Sequence, residues 1–257
     1  MLPKYPLIDR KDAIAHFVDF LQEEGLKVFL IKGEAMMGKS RVLQEYRKIS
    51  ENRRLKSVFI DLKSKNEEFL LLYEIARQVN LNLFPAFSAI YSNFLNQRVN
   101  ITRVTQLFSK MSIQENYEEK LNKYRLLEFR SAFLSDLDAL PQDMECVIII
   151  DSFDAATETV KKWLAEEFIV PVSKKRRVKI VVAGTIVPIP SATWEDQSEF
   201  YELCSVTKDD CINFCKELGI VQDEKVIGEF LLFFQGRPGA FIQYATWYLS
   251  SRREIVR

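Results

Sequence analysis

Histidine is nearly absent from this chain: His16 is the only one in 257 residues. That scarcity argues against a histidine-based hydrolase or proton shuttle, and His16 reads as a surface or packing residue in an apolar-periodic segment. Cysteine is scarce too. Cys146, Cys204, Cys211 and Cys215 form no CxxC and are too few and too irregular for a disulfide framework. Cys211 and Cys215 lie one helical turn apart, so a zinc site competes there with buried structural thiols. Eight Gly and eight Pro are too few for a linker-rich or disordered chain. Neither sign of charge is in excess, with 36 Lys plus Arg against 36 Asp plus Glu. That balance excludes a generally basic nucleic-acid coat and an acidic solvating tail, while leaving room for a local patch. No run approaches the roughly 18 apolar residues of a membrane span, and Met1 to Arg10 carries no signal-peptide core. The expectation is a cytoplasmic protein without membrane contact.

The residues that are abundant point to a packed core. Hydrophobic residues make up 47% of the chain and include 19 Phe, enough for one large domain or two small ones. Apolar periodicity predicts a helix over about Asp9–Glu24, stopped near Gly25. Lys27–Lys32 and Ser57–Leu62 read as short buried strands on either side of a helix carrying Val42, Leu43, Tyr46 and Ile49. From Asn66 to about Leu140 no strand is expected. Helical stripes run through Phe69–Val79 and Leu126–Leu140, and the stretch between, Leu83–Tyr117, is mixed. Glu145–Asp151 is a continuous apolar run of the kind found in parallel sheets covered on both faces. A helix holding Trp163, a strand at Val178–Gly184 and a last strand at Phe200–Val206 follow. Thr207 and Asp210 form an approximate capping box that opens a helix. Two more helices, about Asp223–Phe234 and Gly239–Ser250, complete an α/β domain with a helical appendage.

One motif carries explicit chemistry. Gly33, Glu34, Ala35, Met36, Met37, Gly38, Lys39 and Ser40 satisfy GxxxxGK[ST] at every specified position, between a strand and a helix. A chance match in a chain this long is expected about once in a hundred at average composition. Glycines let the backbone wrap around phosphate at a helix N-terminus that favours anions. Lys39 would reach the β- and γ-phosphates, and the Ser40 hydroxyl would coordinate Mg²⁺. Met36 stands where many such loops have a third glycine. Asp151, ending the strongest strand, has the place of a Walker B carboxylate that holds Mg²⁺. Asp154 either polarises the attacking water or caps the helix that follows. Thr185, after the next strand, either faces the γ-phosphate or is an ordinary turn residue. The basic run Lys174–Arg177 precedes that strand, at the sheet edge opposite the nucleotide, as a solvated loop or a partner or nucleic-acid patch.

Taken in order, Gly33–Ser40, Asp151-Ser-Phe-Asp154, Trp163-Leu164, Val181-Val-Ala-Gly-Thr185 and Gly236-Arg-Pro238 resemble the STAND class of P-loop ATPases, kin to NACHT and NB-ARC modules. The resemblance spans nearly the whole chain, from Leu7-Ile-Asp-Arg10 to the last helix. It implies a three-layer P-loop NTPase core with a parallel sheet ordered 5-1-4-3-2, over residues 1–206 with a helical insertion at about 64–140. A helical lid at 207–257 would follow. It also implies ATP or ADP and Mg²⁺ as ligands, and a weak ATPase that switches between nucleotide states in signalling, through self-association or partner domains. Site residues carried over are the loop itself with Arg41, Arg10 beside the base, and Pro238 from the lid. Ser40 and Asp151 would hold the metal, and Lys39, Asp154 and Thr185 would serve catalysis. Relatives often have Arg where Thr185 stands, so slow hydrolysis is expected. They also carry a winged-helix domain after the lid that this sequence lacks, as an excised module or a reduced protein would. The rivals are a DNA-dependent ATPase of the origin-recognition or loader type, and a scaffold that binds nucleotide without hydrolysing it.

Overall fold

The computed structural model describes residues 7–64, 67–94, 114–220 and 224–255. Helix α1 (Lys11–Gln22) leads into β1 (Val28–Lys32), α2 (Lys39–Asn52), β2 (Lys56–Asp61) and α3 (Glu68–Val79). Helical residues 85–94 form α4, and α5 (Gln114–Asp138) returns the chain to β3 (Cys146–Asp151). Helix α6 (Glu158–Trp163) runs through a π-helical turn at Leu164–Phe168 into α7 (Ile169–Ser173), and β4 (Val178–Gly184) follows. Strand β5 (Ser198–Glu202) precedes α8 (Lys208–Glu217), α9 (Glu224–Phe234) and α10 (Pro238–Ile255).

The five strands are parallel and ordered β2-β3-β4-β1-β5, the order that the resemblance implies, read from the opposite edge. Alternation explains the layering. Val28, Leu30, Ile148, Ile150, Ile180 and Val182 face a core shared with α3 to α7. Their neighbours Phe29, Ile31, Val147, Ile149, Val181 and Ala183 face the other way, onto α1 and α2. With side chains pointing to both faces and both faces covered, all six residues of β3 are buried, as a continuous apolar run requires. A third core gathers Cys211, Phe214, Cys215, Ile227, Phe241 and Ala245 from α8 to α10, with Val206 from the segment before α8 and Ile8 from the N-terminal segment. Outer strand β2 has its ladder closed by a side chain: the Gln78 amide accepts from the Phe59 N–H and donates to the Phe59 carbonyl, both at 2.9 Å. Edge pairing with another strand is thereby blocked at that residue.

Several boundaries differ from expectation for identifiable reasons. The first helix begins at Lys11, because Asp9 takes a left-handed backbone (φ 36°) that breaks the run. The last strand is Ser198–Glu202, not Phe200–Val206. After the Leu203 N–H reaches the Lys32 carbonyl (2.8 Å) the chain leaves the sheet. Leu203 then packs with the α1 and α2 core and Val206 with the core of α8 to α10, so their apolar character reflects two different cores. The π turn precedes Pro171 inside α7; the widened turn accommodates a ring that would otherwise strike the carbonyl four residues back. The mixed stretch Leu83–Tyr117 is helical at 85–94 and 114–117, and its remainder, 95–113, lies outside the described residues. The Thr207–Asp210 capping box forms as expected. Cys211 and Cys215 are buried free thiols, burial pushing Cys211 up to about 12.

A half-buried carboxyl at the start of α3 carries a pH signature. Glu68 Oε2 is buried without a partner. Burial first, then nearby Glu167, raises the Glu68 carboxyl from 4.5 to about 7, while Arg130, paired with Glu167, opposes the shift. The folded state therefore binds the proton more tightly than the unfolded chain. Between pH 4.5 and about 7 stability falls as pH rises. Glu68→Gln should flatten that fall in urea midpoints taken across the window; an equally steep fall in the variant would contradict it.

Candidate functional site

The sheet's carboxyl ends gather most of the residues singled out by sequence. The loop Gly33–Gly38 leaves β1, tied at its start by the Gly33 N–H to the Gly184 carbonyl (3.2 Å). A Cβ on Gly33 would meet the Leu203 Cβ at 3.1 Å, so a glycine suits this wall. Met36 (φ 66°) and Gly38 (φ 86°) both take the left-handed conformation. Met36 adopts it without the ease of a glycine, so the position that departs from many phosphate loops holds their kind of turn at some cost in strain. Helix α2 then starts with no side-chain cap and no acidic residue in its first turn. Its first N–H groups are left for an anion.

Lys39 arches back over this loop. Its Nζ donates to the carbonyls of Gly33 (2.6 Å) and Glu34 (2.8 Å). Burial lowers the Lys39 ammonium below its ordinary pKa, and Asp154 and Asp151 nearby counter that. The Ser40 hydroxyl hydrogen-bonds the Asp151 carboxylate, which also accepts the Ser152 N–H at 2.7 Å. Burial raises Asp151 above the usual carboxylate range, and neighbouring Asp61 adds to the rise, while the Ser40 and Ser152 bonds oppose it.

Asp154 does not cap the following helix; Thr157 does, accepting from the Val160 N–H at 3.3 Å. Asp154 Oδ1 instead accepts the Thr185 N–H at 2.7 Å, tying the end of β4 to the turn after β3. Gly184 has to be glycine for this geometry, since a Cβ there would lie 2.2 Å from the Ile186 carbonyl oxygen and 2.9 Å from Asp154 Oδ1. Thr185 is thus joined to the cluster through its backbone. Its strand β4 lies between β1 and β3.

Three residues expected near a ligand make contacts within the chain. The Arg10 guanidinium is buried and donates to the Met37 carbonyl (2.9 Å), bracing the N-terminal segment against the loop. Arg41 extends along α2 toward Gln44 (3.3 Å) and Glu45 (3.4 Å). Pro238 sits over the loop, its Cγ 3.9 Å from where a Gly38 Cβ would be. Beside it the Gly239 N–H donates to the Met36 carbonyl (2.8 Å), and Arg237 pairs with Glu34 (2.9 Å).

Sequence reasoning missed Asp61, Lys63 and Arg237. Asp61 is the register partner of Asp151 on the adjacent strand, and Lys63 stands close enough to influence both Lys39 and Asp151. The signal available was a second strand ending in Asp, visible in Ser57–Leu62 but unread. His16 bonds Glu199 (2.7 Å) and lies against Tyr201, linking α1 to β5 away from the loop. The basic run is partly engaged at the opposite end of the sheet: Lys175 pairs with Asp138 and Arg177 donates to the Pro141 carbonyl. Among the described residues no group of three or more His, Cys, Asp or Glu could hold a metal, and no helix is long and apolar enough to cross a membrane.

No protein-family model matches the sequence, and no curated protein does. Solved structures do match. The Walker-type ATPase of Pyrococcus abyssi superposes with a TM-score of 0.58 at 18% identity, over 95% of this chain and 68% of that one. The fold is that of a P-loop NTPase. A signal-transduction ATPase with numerous domains and a tetratricopeptide repeat sensor, from Pyrococcus horikoshii, gives 0.53 at 11%, over 91% of this chain and 29% of that one. AMPPCP-bound DnaA from Aquifex aeolicus gives 0.53 at 12%, over 95% and 64%. Cdc6p of Pyrobaculum aerophilum gives the same score at 15%, over 88% and 55%. At these identities the likeness is one of fold.

Proposed function

We propose that this chain binds ATP and ADP with Mg²⁺ and acts as a slow ATPase whose nucleotide state sets the position of its lid. The observation that carries this is the convergence of an uncapped α2 N-terminus, the Lys39 ammonium and the Ser40–Asp151 pair at one end of the sheet. The loop N–H groups and Lys39 would hold the β- and γ-phosphates, with the Lys39 Nζ exchanging its two carbonyl partners for phosphate oxygens. Ser40 and Asp151 offer one hydroxyl and one carboxylate, a donor set that fits Mg²⁺, which keeps several waters and needs few protein oxygens. When bound, that ion neutralises charge developing on the phosphates. Asp154 orients the attacking water through the oxygen left free by the Thr185 bond. Thr185 adds no charge at the γ-phosphate, which is why turnover is slow. Arg10 braces the loop near the base, and Pro238 covers the nucleotide from residues 207–257, the lid, above a core at residues 1–206.

The kinship we favour is the STAND class, on the motif order and on the lid turn packed against the loop. Purified monomer with Mg·ATP should turn over well below about 10 s⁻¹, the median of ordinary enzymes. Steady-state phosphate release at or above that rate would contradict it. The DNA-dependent reading is supported by the basic run Lys174–Arg177 and by the fold shared with an origin-recognition complex solved on DNA (TM-score 0.53, 10% identity). DNA stimulation of hydrolysis, with binding that falls steeply as salt rises, would favour that reading instead.

A further inference from the structure

The turn between α9 and α10 is shaped to touch the phosphate loop. Gln235 (φ 55°) and Gly236 (φ 65°) are consecutive left-handed residues that end α9 abruptly and swing Arg237 outward. From behind, the Val206 N–H bonds the Gly236 carbonyl (2.9 Å) and the Ser205 hydroxyl bonds the Gln235 carbonyl (3.2 Å). Gly236 cannot carry a side chain, because a Cβ would lie 2.8 Å from the Ser205 Cβ. The turn is therefore fixed to the linker that enters α8.

In front, the turn meets the crest of the loop. Arg237 Nη2 donates to Glu34 Oε2 at 2.9 Å and to Gln235 Oε1 at 3.0 Å, the second bond aiming the guanidinium at the first. The Gly239 N–H reaches the Met36 carbonyl at 2.8 Å, and a Cβ on Gly239 would stand 2.7 Å from that same oxygen. Glu34 is otherwise exposed and Arg237 Nε is buried without a partner, so the grip is incomplete.

We propose that Arg237 and Glu34, with the Gly239–Met36 bond, form a latch that closes the lid turn over the phosphate loop and sets how fast nucleotide leaves. The inference rests on the nucleotide reading above and adds to it which contact must break for exchange. Both side chains are positioning residues: they hold the lid down, and neither need touch the phosphates. A ligand lying beneath residues 34–36 can depart only after the turn lifts, so the rate of lifting limits release.

Release of the fluorescent ADP analogue mant-ADP, chased with excess ADP, tests this. Glu34→Ala and Arg237→Ala should each speed release about two- to fivefold, the weight of a partly exposed ion pair. Gly239→Ala, which forces the backbones apart, should speed it on the order of tenfold. Wild-type release should quicken with salt as the pair is screened, and the two alanine variants should lose that dependence. Glu34→Arg combined with Arg237→Glu should restore slow release. Unchanged release in both alanine variants overturns the latch, as does acceleration that the charge exchange fails to reverse. Wild-type protein that binds no mant-ADP overturns the nucleotide reading and the latch together, whereas binding with unaltered release overturns the latch alone.

Discussion

Lys39→Ala should weaken Mg·ATP binding by about a hundredfold or more while leaving the fold as stable as before. Each hydrogen bond from a charged donor contributes about 1.5–3 kcal/mol, and Lys39 has two to transfer from the Gly33 and Glu34 carbonyls to phosphate oxygens. The stability half of the prediction follows from its surroundings. Burial already lowers the Lys39 pKa, so its charge is held at some cost in the ligand-free protein. Thermal melts give both readouts. At a ligand concentration one hundred times the wild-type Kd, nucleotide should add about 2.7 kcal/mol to the wild type and about 0.4 kcal/mol or less to the variant. Equal ligand-induced shifts in the two proteins would remove Lys39 from the site.

Asp154→Asn should cut turnover by about 10²–10⁴, the range for loss of a positioned general base, with little change in stability. An amide oxygen can still accept the Thr185 N–H, so the tie between the end of β4 and the turn after β3 survives. Asp154→Ala removes that tie as well and should cost about 1 kcal/mol of stability besides the activity, because the Thr185 donor loses its partner. The comparison separates the two uses of one carboxylate. If Asp154→Asn hydrolyses ATP at the wild-type rate, Asp154 is only a brace and another group orients the water; a scaffold that holds nucleotide without consuming it becomes the better account only if the wild type itself shows no turnover.

The sheet was readable from sequence because its central strands are buried on both faces and so appear as unbroken apolar runs, Val147–Ile150 most plainly. The phosphate loop was readable because wrapping a backbone around an anion demands particular residues at fixed spacing. What escaped depends on contacts between distant segments. Asp61 lies beside Asp151 only through strand register, and Glu34 meets Arg237 across 203 residues. The end of β5 was misplaced because Leu203 and Val206 continue its apolar pattern while serving two separate cores. The place of Arg10 beside the base is implied by the resemblance alone, and its bond from a buried guanidinium to the Met37 carbonyl of the loop spans 27 residues that no local pattern links. Asp154 is ambiguous in sequence because the bond that defines its surroundings comes from Thr185, just past β4 and 31 residues away.

The most direct test of the central claim is the nucleotide that the purified protein carries, released by denaturation and separated by anion exchange, with Lys39→Ala beside it. The account predicts tightly held ADP in the wild type and none in the variant. Wild-type protein that carries no nucleotide, and neither releases heat nor gains melting temperature with Mg·ATP at about 1 mM, the upper end of ordinary substrate affinities, would contradict it.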